Sequence, residues 1–213
     1  MHRKEFRIHL PAIAPELGRI VQVAYIVDDI DEAIERWHTQ YATGPFLVAR
    51  DTTPFVNARY RGQPSEVMVL DLAFAYVGDL QIELIALKND VPSMYKEVLD
   101  RGQVDLQHYG VCVEDFAAAV AYYRENGFQL VVASGAEGVA QMHYAEAVNF
   151  DKNVFGEDEK QYMRTPEGSG IVLEVIADNA MTRPYFDGIK QRVASIPSGQ
   201  RIQEFQLSEL AAS

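Results

Sequence analysis

Cysteine occurs once among the 213 residues, at Cys112. One thiol excludes an internal disulfide framework and suits a reducing compartment, so a cytoplasmic protein is expected. Long hydrophobic runs are also missing. No stretch approaches the roughly 20 apolar residues that span a bilayer. The charged start MHRKEFRIHLPAIAP is followed by no apolar segment of a secretory signal. Positive charge is scarce: Lys plus Arg total 19 against 31 Asp plus Glu, a formal net charge of −12. A field of that sign disfavours nucleic acid and anionic membrane surfaces as partners. The segment GAEG at 135–138 lacks the lysine and spacing of a phosphate-binding loop. What remains is a globular composition, 48% hydrophobic and 23% charged.

Within that composition lies a repeat. Residues 20–43 read IVQVAYIVDDIDEAIERWHTQYAT. An alternating strand runs into the N-cap residues Asp28 and Asp29, and then Ile30, Ala33, Ile34, Trp37 and Tyr41 recur at helical spacing. Residues 106–127 read LQHYGVCVEDFAAAVAYYRENG, with Glu114 and Asp115 as caps and Phe116, Ala119, Val120 and Tyr123 on one helical face. A constant offset of 86 carries Ile30 to Phe116, Ala33 to Ala119, Ile34 to Val120, Trp37 to Tyr123 and Gln22 to His108. Each unit then continues into a hairpin, LAFAYVGDLQIELIAL with a Gly78-Asp79 turn in the first and YMRTPEGSGIVLEVIA in the second. The expected organisation is an N-terminal arm (1–17), a first βαβββ module (18–90), a connector with one short helix (91–104), a second βαβββ module (105–178) and a C-terminal extension (179–213). Pro184, Gly188, Pro197 and Gly199 make that extension read as a surface arm.

Two carboxylates stand out. Glu83 lies in QIELIAL and Glu174 in IVLEVIA, each flanked by aliphatic residues. An unpartnered carboxylate in an apolar interior costs several kcal/mol, so it is neutralised, paired or bound to metal. The alternative is that each Glu sits on the wet face of an amphipathic strand. Their equivalent places in the repeat favour convergence, because a pseudo-twofold axis brings such positions together. Strand parity agrees: Gln22, Ala24 and Ile26 share one face, and His108, Gly110 and Cys112 share the matching one. One amide oxygen, one imidazole and two carboxylates form an N/O donor set suited to Zn, Ni, Co, Mn or Fe. Gln22, Glu83, His108 and Glu174 are therefore the candidate metal ligands.

With this order of modules and ligands the chain resembles the vicinal-oxygen-chelate superfamily (glyoxalase, bleomycin resistance and dioxygenase proteins) over roughly residues 18–178. The resemblance implies an α+β fold of two paired βαβββ modules around a metal-binding cleft. The ligand order Gln, Glu, His, Glu is similar to eukaryotic-type glyoxalase I. Methylmalonyl-CoA epimerases, also similar, carry His, Gln, His, Glu and depart at the first two positions. TGPFLVARD and SMYKEVLDRG…HYGV resemble bacterial glyoxalase-like proteins of undefined substrate.

The resemblance implies a divalent-metal-dependent isomerase, epimerase or lyase of the glyoxalase type, removing a proton next to a carbonyl through a metal-bound enolate. Its catalytic residues would be Glu174 as base and Glu83 as the acid that returns the proton or a ligand that stays. The expected partner is a small carbonyl compound, aromatic or a thioester; a homodimer is compatible with the acidic surface. A metal-free small-molecule binding or sequestration protein of the same fold is one alternative, and a third is a non-catalytic member holding a structural metal. A non-haem iron dioxygenase wants two His and one carboxylate, and only His108 of five histidines stands at a ligand position, with His143 as a further cleft candidate. Arg50, Arg59, Arg61 and Arg164 are candidate anion contacts. Phe46, Phe55, Tyr60, Phe74, Tyr76 and Tyr162 are candidate aromatic walls, while Cys112, Trp37 and Tyr123 read as packing residues.

Overall fold

The computed structural model describes residues 18–55, 57–102, 106–126, 128–134, 142–147, 172–180 and 182–210. The first unit runs β1 (Arg19–Ile26), α1 (Ile30–Tyr41), β2 (Phe46–Thr52), the short hairpin β3 (Arg59–Tyr60) and β4 (Gln63–Pro64), then β5 (Leu70–Val77) and β6 (Leu80–Leu87). The helix α2 (Met94–Leu99) follows. The second unit is β7 (Leu106–Val113), α3 (Phe116–Glu125), β8 (Phe128–Ser134), β9 (Met142–Ala147) and β10 (Val172–Ala177). The chain closes with α4 (Thr182–Ser195), β11 (Ile202–Glu204) and a 3₁₀ turn, Leu207–Leu210. No helix among the described residues is long and apolar enough to cross a membrane.

The caps read from sequence are in place. Asp29 accepts from the amides of Asp31 and Glu32, and Asp115 from that of Ala118. Gly127 and the turn at 166–170 lie outside the described residues.

The strand order is β11-β2-β5-β6-β1-β7-β10-β9-β8-β3-β4. The antiparallel pair β1–β7 stands at the centre, and each of these strands has the last strand of its own unit beside it in parallel, β6 and β10. A pseudo-twofold axis therefore passes between β1 and β7, as the repeat predicts. On one face α1 packs with Ile82, Leu84 and Ala86, while the cluster of Val111, Val113, Leu173 and Val175 takes Ala119 and Tyr123 from α3. The other face carries Ala24, Ile26, Phe74, Ile85 and Val172 in one cluster that also takes in Leu47 of β2 and Val132 of β8. Those strands lie at opposite margins of the sheet. The sheet is thus curled, and this is its concave face.

Two features depart from the repeat. The β3–β4 hairpin, inserted between β2 and β5, crosses to pair with β8 at the far margin. The extension, read as a surface arm, is instead part of the core: Ile189, Val193 and Ile196 are buried among the concave-face residues, and β11 adds a parallel strand to β2. Proline and glycine misled here for local reasons. Pro184 falls in the first turn of α4, where a missing N–H costs nothing. Gly188 is where Leu210 approaches closely; a Cβ there would meet its Cδ2 at 3.2 Å.

Candidate metal centre

The registers of β6, β1, β7 and β10 set two adjacent rows across the middle of the sheet. One row is Glu83–Ala24–His108–Val172, and the next is Gln81–Gln22–Gly110–Glu174. Residues aligned across neighbouring strands share a face, so Gln22, Glu83, His108 and Glu174 all point to the concave side. A small residue, Ala24 or Gly110, separates the two candidate ligands within each row. All four are buried: His108 is fully so, and Gln22, Glu83 and Glu174 are 4, 8 and 4% exposed. The alternative of glutamates on a wet strand face does not describe this structure.

His108 Nε2 is the focus. It stands 3.2 Å from Gln22 Oε1, 3.3 Å from Glu174 Oε2 and 3.7 Å from Glu83 Oε2. Its Nδ1 is bonded to Gln107 Oε1. Because an amide oxygen only accepts, Nδ1 carries the proton, and the lone pair of a neutral ring is left on Nε2. Four electron-rich atoms then face one another in a dry place. Such a cluster is relieved by a cation at its centre or by a proton shared among the grouped atoms.

The donor chemistry fits a divalent ion. Two ligands at about 2.0–2.1 Å from a tetrahedral ion stand roughly 3.3–3.4 Å apart, close to the spacings around Nε2. Among the described residues no three His, Cys, Asp or Glu side chains form a group that could by itself hold an ion; the fourth atom near Nε2 is the amide oxygen of Gln22.

Gln22 is oriented by a one-directional chain. Its Nε2 donates to Gln81 Oε1 at 2.7 Å, Gln81 Nε2 donates to the Tyr76 hydroxyl at 2.7 Å, and Tyr76 donates to the Phe186 carbonyl at 3.2 Å. With its amide nitrogen committed, Gln22 must turn its oxygen to His108. This is the kind of outer support that fixes metal ligands. Burial, and then the charge of Glu174, pushes the Glu83 carboxyl well above its ordinary value. Burial likewise pushes the Tyr76 phenol up, to about 12.

Beside these rows a cavity of about 660 Å³ opens between the strand ends and α4. Its wall includes Cys112, one step along the β7 face from Gly110, and Arg19, the register partner of Cys112 in β1, together with Tyr76 and Phe186. That volume is ordinary for a small-molecule site.

The other candidates divide. Phe74, Tyr76, Phe55 and Tyr60 join the concave-face cluster, whereas Phe46 is buried on the α1 side. Arg50 is held by Asp31, Asp71 and Glu204, and Arg61 by Glu97, so neither is committed to the site. Arg59 donates to the Gly62 carbonyl. Trp37 and Tyr123 pack under their helices, and burial raises the half-buried Cys112 thiol. Arg164, Tyr162 and the side chain of His143 lie outside the described residues. The orienting residues Gln81 and Gln107 were not singled out in sequence. Gln81 was readable as the residue two before Glu83 on the same strand face; Gln107, adjacent to His108, gave no such signal.

Residues 21–145 match the family model described as Glyoxalase/Bleomycin resistance protein/Dioxygenase superfamily. The chain belongs to this superfamily. No curated protein is matched. Among solved structures, a hypothetical protein from Bacillus halodurans C-125 is 14% identical, with 76% of this chain and 95% of that one covered at a TM-score of 0.49. The methylmalonyl-CoA epimerase from Mycobacterium tuberculosis is 18% identical over 81% of this chain and 97% of its own, at a TM-score of 0.47. The Streptomyces coelicolor methylmalonyl-CoA epimerase in complex with 2-nitronate-propionyl-CoA is 12% identical over 78% and 97%, at 0.46. Superfamily membership rests on the family match and the paired-module topology, not on these likenesses.

Proposed function

We propose that this superfamily member is a divalent-metal-dependent isomerase, epimerase or lyase that removes a proton next to a carbonyl. The observation that carries it is the convergence of Gln22, Glu83 and Glu174 on Nε2 of the fully buried His108. These four residues would hold the ion. When bound, it polarises a substrate oxygen as a Lewis acid. Glu174, in the position of the glyoxalase base, takes the proton. Glu83, across the pseudo-twofold axis, returns it to the other face or stays as a ligand; its raised pKa suits a proton donor. The substrate class is a small carbonyl compound, an acyl thioester or an aryl ketone.

The test is metal content after purification without chelator, for the native chain and for His108→Ala. Near-stoichiometric metal lost in the variant is expected. A native chain that holds none, and takes up none when Zn, Ni, Co or Mn is offered, would favour the second reading. That reading is a metal-free small-molecule binding protein, supported by the cavity of about 660 Å³ beside the site.

A further inference from the structure

We propose that Tyr185, carried on α4, contacts the substrate, its phenol donating a hydrogen bond to the substrate oxygen on which charge develops. The proposal rests on the metal-centre reading and extends it to a residue outside both βαβββ modules.

Helical spacing places Tyr185, Ile189 and Val193 on one stripe. Ile189 and Val193 are buried against the concave face, and Tyr185 packs on the same cluster. The height of the stripe along the sheet is fixed independently. Tyr76 donates to the carbonyl of Phe186, the residue after Tyr185. In the β5–β6 register Tyr76 stands opposite Gln81, and Phe74 opposite Glu83. The first turns of α4 therefore lie over the two rows that carry the donor set. The Tyr185 phenol lies near enough to Glu83 and Glu174 for the charges of both carboxylates to act on it. The group is a donor, with no acid or base role assigned.

A packing role alone gives no reason for a hydroxyl here, since the stripe is otherwise aliphatic. The cavity beside the site is lined by Thr182 and Phe186 of the same turns of α4, on the helix stripe next to that of Tyr185. A positioned donor aimed at a developing oxyanion is worth on the order of 10²–10³ in rate. The extension thus completes the site that the duplicated modules begin.

The experiment compares native protein and Tyr185→Phe, both loaded with zinc, titrated calorimetrically with acetohydroxamate as an oxygen-rich mimic of an enolised carbonyl. Metal content and melting temperature are measured on the same samples. The expected result is equal zinc content, equal melting within a few degrees, and hydroxamate binding weakened about 10-fold or more in the variant. Equal hydroxamate affinity with zinc retained would show Tyr185 to be a packing residue and overturn the proposal. Zinc lost from Tyr185→Phe alone would make the phenol a ligand, which also overturns it. Zinc absent from the native protein overturns the metal-centre reading itself, and the proposal with it.

Discussion

Ala24 stands between Glu83 and His108 in one row of the sheet, and Gly110 stands between Gln22 and Glu174 in the next. The two positions are equivalent in the duplication, yet a methyl group is accommodated at one and not at the other. A Cβ on Gly110 would lie 2.8 Å from both Cβ and Oε1 of Gln22. The reason lies in how each unit holds its first candidate ligand. His108 is braced through Nδ1 by its neighbour Gln107, whereas Gln22 leans over Gly110 and is held by a chain through Gln81 and Tyr76 to α4. The duplication supplied two pairs of candidate ligands; what differs between them is the means of support. The first candidate ligand of one unit is oriented through the C-terminal extension, and that of the other by its own neighbour in the strand.

The largest effect should separate the two carboxylates. Glu174→Gln is expected to lower proton exchange at the substrate's α-carbon about 10²–10⁴-fold while leaving most metal binding intact. Glu83→Gln should cost less if Glu83 only holds the ion, and a comparable amount if it returns the proton. Solvent deuterium incorporation into an identified substrate measures both. Near-native exchange in Glu174→Gln would sink the assignment of the base.

Next in size is the pair of mirrored substitutions. Gly110→Ala forces Gln22 aside and should destabilise by about 1–3 kcal/mol, as overpacking does. Ala24→Gly should cost only about 0.5–1 kcal/mol, the backbone freedom it adds to a strand. Denaturant unfolding of the metal-free variants reads both. Equal costs would mean that the asymmetry between the units is not real.

The third effect is a pH dependence confined to metal-free protein. The carboxyl of Glu83 has an ordinary value of 4.5 and is raised on folding by burial and by Glu174. Its contribution to stability is therefore fully present below about 4.5 and is lost as pH rises through the raised folded value. Melting temperature of chelated protein should fall across that window, and Glu83→Gln should flatten the fall. A native profile without the decline would show that Glu83 reaches solvent or a partner when the metal is gone.

How much of this was legible in sequence follows from how local each feature is. Strand parity and the offset of 86 depend on short-range periodicity, so the concave placement of Gln22, Glu83, His108 and Glu174 could be read, as could the caps Asp29 and Asp115. Gly110 could be read as a small neighbour, but not as one that excludes a methyl, since that depends on where Gln22 leans. The β3–β4 hairpin, β11 and the docking of α4 depend on the sheet curling until its margins approach, which no local pattern encodes. The stripe Tyr185, Ile189, Val193 was present in the tail and hidden by Pro184 and Gly188, which punctuate it without breaking it.

The smallest expected effect lies at the margins, where the units again differ. The outer strand of the first unit, β2, is covered by β11 of the extension, while that of the second, β8, is covered by the β3–β4 hairpin lent by the first. Covered margins matter because an open strand edge invites pairing with another chain. The hairpin is tied down by Tyr60 and Arg61, both bonded to Glu97 of α2, with Arg61 meeting the carboxylate in two bonds of 2.9 and 3.0 Å. Arg61 is substantially exposed, so Arg61→Ala should cost no more than about 1 kcal/mol of stability. Its effect should appear in hydrogen exchange instead, as faster exchange of the Arg61 amide, which donates to the Val131 carbonyl of β8. The margin at β2 and β11 should exchange as before. If both margins loosened together, the hairpin and the extension would form one cooperative closure, and the two units would share more of their support than the separate contacts suggest.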